Sequence, residues 1–202
     1  MMKVVRHPNP ILRKRSKPVK DWGLAEKKLI TDLKKVIKKS RIGVGLSAPQ
    51  IGVNKRVFIG QKQVFFPKEQ EFSIFINPII EKTFGRKVYP LMADEKGNSE
   101  EFLEGCLSFP DLYGPIKRYL KISVSFYQPT GKGNLEKQKA QLEGLGAIVF
   151  QHELDHLNGV LFVDYLKKEK KDLYKISKDG ERTKIDLKGY ARIEDDVFCQ
   201  AK

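Results

Sequence analysis

The sequence predicts an α+β protein, and three patterns carry that reading. Short strand-like runs are grouped between residues 56 and 127. An amphipathic helical pattern precedes them, and a pattern apolar on every side of the helical wheel follows at 142–157. The 202 residues, 40% of them apolar, suffice for one sizeable core, because chains of this length bury most of their unfolded surface. One domain is expected over residues 1–170, with an extension at 171–202 to which the sequence assigns no role.

Taken in order, "HPNPILRKRSKPV" at 7–19 contains three prolines and reads as extended and loop-like, since proline fixes φ and restricts the residue before it. Asp21 is then the expected N-cap of a helix reaching about residue 40, with Leu29, Ile30, Leu33, Val36 and Ile37 on one face. Lys38 and Lys39 suit its C-terminal end, where the backbone dipole favours cations. "GVGLSAPQIG" at 43–52 is a glycine-rich loop with a rigid Pro49 and one polar amide, Gln50.

Strands are expected at "RVFIG" (56–60), at "SIFIN" (73–77) ended by Pro78, and at "IIEKTF" (79–84). "KISVSFY" at 121–127 alternates Ile122, Val124 and Phe126 with Ser123, Ser125 and Tyr127, a half-buried strand. Between them, "ADEKGNSEEF" at 93–102 reads as a polar surface loop. The helix at Leu142–Leu157 is apolar all round and therefore buried, with Asn158 and Gly159 as its stop signal.

That buried helix carries His152, Glu153, Asp155 and His156. Burying four ionisable groups demands pairing or a metal. In "HELDH" at 152–156 the imidazoles stand at i and i+4, on one face and within reach of one cation. Glu153 is rotated about a quarter turn away, so it can stand beside the ion without ligating it, as a general base must. The alternative is a pair of core histidines satisfied by hydrogen bonds. A catalytic site needs a third protein ligand. His7, the remaining histidine, and Cys106 in "EGCLS" at 104–108 are the two candidates.

Cys106 and Cys199 are the two cysteines, too few and too dissimilar in setting for a disulfide framework, which favours a reducing cytoplasm. No signal-like segment is visible, and the longest apolar run, "LGAIVF" at 145–150, is too short to span a bilayer. A soluble, cytoplasmic protein without membrane association is expected. Residues 1–62 hold 17 Lys or Arg against three acidic residues, which accounts for the whole net charge of +14. Such a block favours a polyanionic neighbour such as RNA, and Lys34, Lys35, Lys38 and Lys39 are expected on the solvent face of the first helix. The bland reading is surface solvation.

"GVGLSAPQ" at 43–50, "EGCLS" at 104–108 and "QHELDHLNG" at 151–159 together resemble the three ordered motifs of the peptide deformylases. Each alone is weak; the ordered set is specific, and the resemblance runs from about residue 5 to 166. It implies antiparallel β-sheets packed around the central HELDH helix, and hydrolysis of the N-formyl group from formylmethionyl nascent peptides with release of formate. It implies Cys106, His152 and His156 as ligands of one divalent ion, usually Fe2+ in the cell, with Zn2+, Ni2+ or Co2+ accepted. Glu153 takes the acid/base role, while Gln50 and the Leu107 N–H stabilise the oxyanion. Gly43, Val44, Gly45, Gly105, Leu145 and Ile148 are expected around the substrate, although Leu145 and Ile148 suit a core equally well.

The chain departs from the family pattern at Ser47, where alanine is more frequent, and near Tyr113 and Ile148, where some members carry arginine. Relatives are thought to dock on the ribosome through a C-terminal helix, yet residues 167–202 carry only 11 basic against eight acidic residues. Ribosome contact is therefore expected through residues 1–62, by a monomer. Two other readings share single features with the chain: a zinc peptidase, through HExxH, and a basic RNA-binding protein without catalysis.

Overall fold

The computed structural model describes residues 2–40, 43–66, 71–93, 97–130, 133–177 and 179–190. Two antiparallel sheets enclose the helix that carries the ionisable cluster. The larger sheet runs β1 (Gly45–Ser47), β2 (Val57–Gln61), β3 (Phe72–Phe84), β8 (Lys121–Pro129) and β9 (Leu135–Glu143) in that spatial order. The second comprises β6 (Leu103–Cys106), β7 (Phe109–Pro115), β10 (Leu173–Ile176) and β11 (Arg182–Ile185), in the order β11-β10-β7-β6. A two-stranded ribbon, β4 (Leu91–Ala93) with β5 (Ser99–Glu101), stands apart from both. The helices are α1 (Leu24–Ile37), a single turn α2 (Lys62–Phe65), α3 (Gly144–Asn158) and α4 (Phe162–Lys168).

Helix α3 occupies the middle because it is apolar enough to be buried on most sides. Its Ala147, Val149 and Phe150 pack against Phe58, Phe75, Val124 and Phe126 of the larger sheet. Phe75 stacks on Phe58 at 4.4 Å between ring centroids and meets Phe150 edge-on at 5.4 Å. Each buried phenylalanine contributes about 1.5–3 kcal/mol, so this cluster fixes α3 on the sheet. Gly159 ends the helix at φ 73°, and a Cβ there would lie 2.4 Å from the Arg13 carbonyl oxygen, so the stop admits only glycine. On the far side, α4 packs Phe162, Val163 and Leu166 against Phe109, Leu112 and Leu173 of the second sheet.

The α1 face is as expected, with Leu29, Ile30, Leu33, Val36 and Ile37 all buried. Its cap is not. Gly23 holds the N-cap position and its N–H donates to the Glu26 carboxylate at 3.1 Å, so the work assigned to Asp21 is done from inside the first turn. Pro78 does not end a strand: β3 runs through it by a bulge between Ile76 and Ile79, with Asn77 at φ 49°. Proline is tolerated there because the bulged residue has no ladder partner to donate to. Asn77 is held by exchanging two hydrogen bonds with the Val19 backbone, at 2.9 and 2.8 Å.

The stretch 93–102 is strand at both ends and not wholly a loop, and Leu142 lies in β9, so α3 starts at Gly144. Strand β9 escaped the sequence reading because "LEKQKAQLE" buries only Leu142, leaving a weak apolar period. Cys199 falls outside the described residues. A boundary at residue 170 falls between α4 and β10, and β10 pairs with β7 through Tyr174↔Tyr113. No helix is long and apolar enough to cross a membrane among the described residues.

Candidate active site

Three elements converge on one point. Helix α3 presents His152 and His156 one turn apart, their ring centroids 5.0 Å from each other. Strand β6 ends at Cys106, whose Sγ lies 3.2 Å from Nε2 of His156. The one-turn helix Ala48–Ile51, entered from β1, brings Gln50 Nε2 to 3.5 Å from the same sulfur. The ligand atoms of Cys106, His152 and His156 all lie within 4.8 Å of one another. The open choice between His7 and Cys106 thus falls to Cys106. His7 stacks instead on Phe109, at 4.9 Å.

Buried charge orders this cluster from behind. Glu104 accepts from Nδ1 of His152 at 2.9 Å, leaving the other ring nitrogen for the site. Arg118, 2% exposed, donates to both Glu104 oxygens at 2.6 and 2.9 Å, and to Asp155 at 2.6 Å. The Tyr165 hydroxyl donates to the second Asp155 oxygen at 3.0 Å. Burial alone would raise the Glu104 pKa, but Arg118 and His152 outweigh it and hold the carboxyl down at about 2. Burial keeps His156 well below the ordinary imidazole range, so it stays neutral with a free lone pair. These partners are how the apolar helix accommodates its ionisable groups; "HELDH" shows the demand, whereas Arg118 and Tyr165 carry no local signal.

Glu153 is different in kind. It is 3% exposed, and its Oε2 has no hydrogen-bond partner among the described residues. Burial pushes its pKa up to about 7, against the opposing pull of His152 and the Ser47 hydroxyl. It fits because residue 45 is glycine: a Cβ there would stand 2.6 Å from Glu153 Oε1. A carboxyl with a free oxygen and a pKa near neutrality can both take and give a proton.

A cavity of about 1160 Å³ opens from this point. It is lined by Gly43, Val44, Gly45, Gln50, Gly105, Cys106, Leu107, Leu145, Ile148, His152 and Glu153, with His156 buried just beneath. Leu145 and Ile148 line the cavity and also pack in or against the core. Tyr113 lines the wall as well. The sequence reading missed part of the lining, to which Met2, Lys3, Val4, Arg6, Met92 and Phe102 also contribute. Such residues come from unrelated segments and leave no joint pattern in the chain.

A cysteine sulfur and two imidazole nitrogens at this spacing, with Glu104 and Asp155 turned to Arg118, fit one divalent transition ion. With an acid/base and an amide donor beside it, the arrangement is that of a metal-dependent hydrolase. The polypeptide deformylase model matches residues 1–172. The peptide deformylase of Desulfotalea psychrophila is 34% identical over 175 residues, covering 87% of this chain and 93% of its own. That of Pelagibacter ubique is 36% identical over 170 residues, 84% of this chain and 88% of its own. Among solved structures, the peptide deformylase of Thermotoga maritima superposes with TM-score 0.65 at 34% identity, covering 82% of this chain and 97% of its own. The Plasmodium falciparum enzyme gives 0.67 at 35%, covering 83% and 89%.

The chain belongs to the polypeptide deformylase family. It is an enzyme, a metal-dependent hydrolase that removes the N-formyl group from nascent peptides.

Proposed function

We propose that formylmethionyl peptides bind in the cavity with the methionine side chain against Val44, Leu145 and Ile148, and that formate leaves beside Glu153. The carrying observation is the convergence of three separated motifs on one point, with Gln50, Cys106 and α3 in mutual contact. Cys106, His152 and His156 hold the ion, and Fe2+ is the ion assigned in the cell. When bound, it supplies Lewis acidity that polarises the formyl carbonyl and acidifies a water.

The protein's own groups do the rest. Ionised Glu153 accepts the proton of the attacking water, then delivers it to the departing amine nitrogen. Gln50 Nε2, with the Leu107 N–H, donates to the formyl oxygen as charge develops on it. Val44, Leu145 and Ile148 exclude water from the side-chain pocket. The substrate backbone lies alongside β1, where the glycine at 45 leaves the space that Glu153 takes.

The enzyme works as a cytoplasmic monomer away from membranes, and meets nascent chains by docking the basic segment 1–62 on ribosomal RNA. Formate release from formyl-Met-Ala by anaerobically purified protein, with metal analysis of the same sample, tests the reaction. Turnover that scales with iron content is expected. Fully metal-loaded protein that releases no formate overturns the reading.

A further inference from the structure

The structure gives the buried hydroxyl of Ser47 a task. Ser47 is completely buried in β1. Its Oγ donates to Gln50 Oε1 at 2.8 Å, and its backbone N–H donates to the same oxygen at 2.9 Å. Ser47 therefore holds the amide donor through both its hydroxyl and its backbone N–H, without lining the cavity itself.

We propose that Ser47 is a positioning residue that sets the orientation of Gln50. The inference rests on the deformylase reading for its kinetic consequence, though not for its geometry. An amide's oxygen and nitrogen ends are nearly the same shape, and partners decide which way it points. Two donors converging on Oε1 leave the NH2 group facing the Cys106 sulfur and the place where the oxyanion forms. The flipped amide would aim an acceptor at that negative charge. With alanine at 47 a single donor remains on Oε1. A hydrogen bond of this kind contributes on the order of a factor of ten to an equilibrium between orientations.

Ser47→Ala tests this in two independent ways. With formyl-Met-Ala, kcat is expected to fall about threefold to tenfold at unchanged KM and unchanged metal content. In a Gln50→Ala background the same substitution should cost nothing further, because the group it orients is gone. In the metal-free protein, the Gln50 side-chain NH2 resonances in 1H–15N spectra should move or broaden in Ser47→Ala. They are identified by their loss in Gln50→Ala. A kcat within a factor of about 1.5 of wild type, an equal loss in both backgrounds, or an unmoved Gln50 signal would each overturn the role of Ser47. Wild-type protein that is loaded with metal yet inactive instead removes the functional reading, and the spectra still decide the geometry.

Discussion

Glu153 is a residue whose placement costs the fold something that catalysis uses. Its ordinary pKa of 4.5 rises to about 7 in the folded protein. Below about pH 4.5 folded and unfolded chains both hold the proton; between the two values only the folded chain does. The stability it contributes is therefore lost as pH rises towards 7, by about 3 kcal/mol for a shift of this size. Metal-free Glu153→Gln should match wild type in denaturant unfolding near pH 4.5 and exceed it by up to about 3 kcal/mol near pH 8. Equal stabilities at pH 8 would contradict the buried, raised carboxyl. The same variant, loaded with metal, should lose at least ~10²-fold in kcat, since it cannot move a proton. Retention of more than about a tenth of the rate takes Glu153 out of the mechanism. Arg118 poses the opposite case, a cation satisfied by Glu104 and Asp155. Arg118→Met leaves two buried carboxylates facing each other and should cost about 3–5 kcal/mol. Urea midpoints close to wild type would show that water or a shift of the chain compensates.

At the scale of elements, what was legible followed from pattern strength. Helix α1 shows its five buried positions at helical spacing, and α3 shows its burial by being apolar all round. The candidate metal ligands on α3 were readable because i and i+4 share a face whatever surrounds them. Cys106 stood beside His7 as a candidate third ligand until the resemblance favoured it, since its neighbour in space lies 50 residues away. The β3 bulge, α4 and the β10–β11 hairpin were not legible, because each is decided by tertiary partners. Asn77 needs the Val19 backbone, and Leu173 needs α4. The hairpin is also where the family match stops, at residue 172, while Leu173 is fully buried. Its side chain packs with Leu112 and Leu166, so the second sheet and α4 depend on a residue beyond the shared region. Leu173→Ala should destabilise by about 2–5 kcal/mol, and truncation after residue 170 should do more by uncovering the β7 edge as well. An unfolding midpoint unchanged by Leu173→Ala would mean that the hairpin merely rests on the domain.

The whole molecule carries its excess charge on one end of the chain, and the structure sorts which of those cations are available to a partner. Lys28 is paired with Asp32, Lys38 with Glu71 at 2.7 Å, and Lys55 with Glu26 at 3.1 Å. Lys34 is only half-exposed, and Lys39 lines the catalytic cavity. The four lysines 34, 35, 38 and 39 thus form a poor test of docking, since losing Lys39 can also disturb the substrate. Lys14, Lys17, Lys27 and Lys35 are exposed and absent from the cavity wall. If residues 1–62 meet ribosomal RNA through such side chains, each phosphate contact releases counterions. Four contacts then predict affinity falling about ~10²-fold between 50 and 200 mM salt. Replacing Lys14, Lys17, Lys27 and Lys35 with glutamine should flatten that slope and weaken cosedimentation with ribosomes. Hydrolysis of a free formyl dipeptide should be unchanged, because none of the four approaches Cys106, Glu153 or the pocket. Cosedimentation indifferent to both salt and these substitutions would leave the +14 block as solvation of an ordinary surface, and the enzyme would find its substrate by diffusion alone.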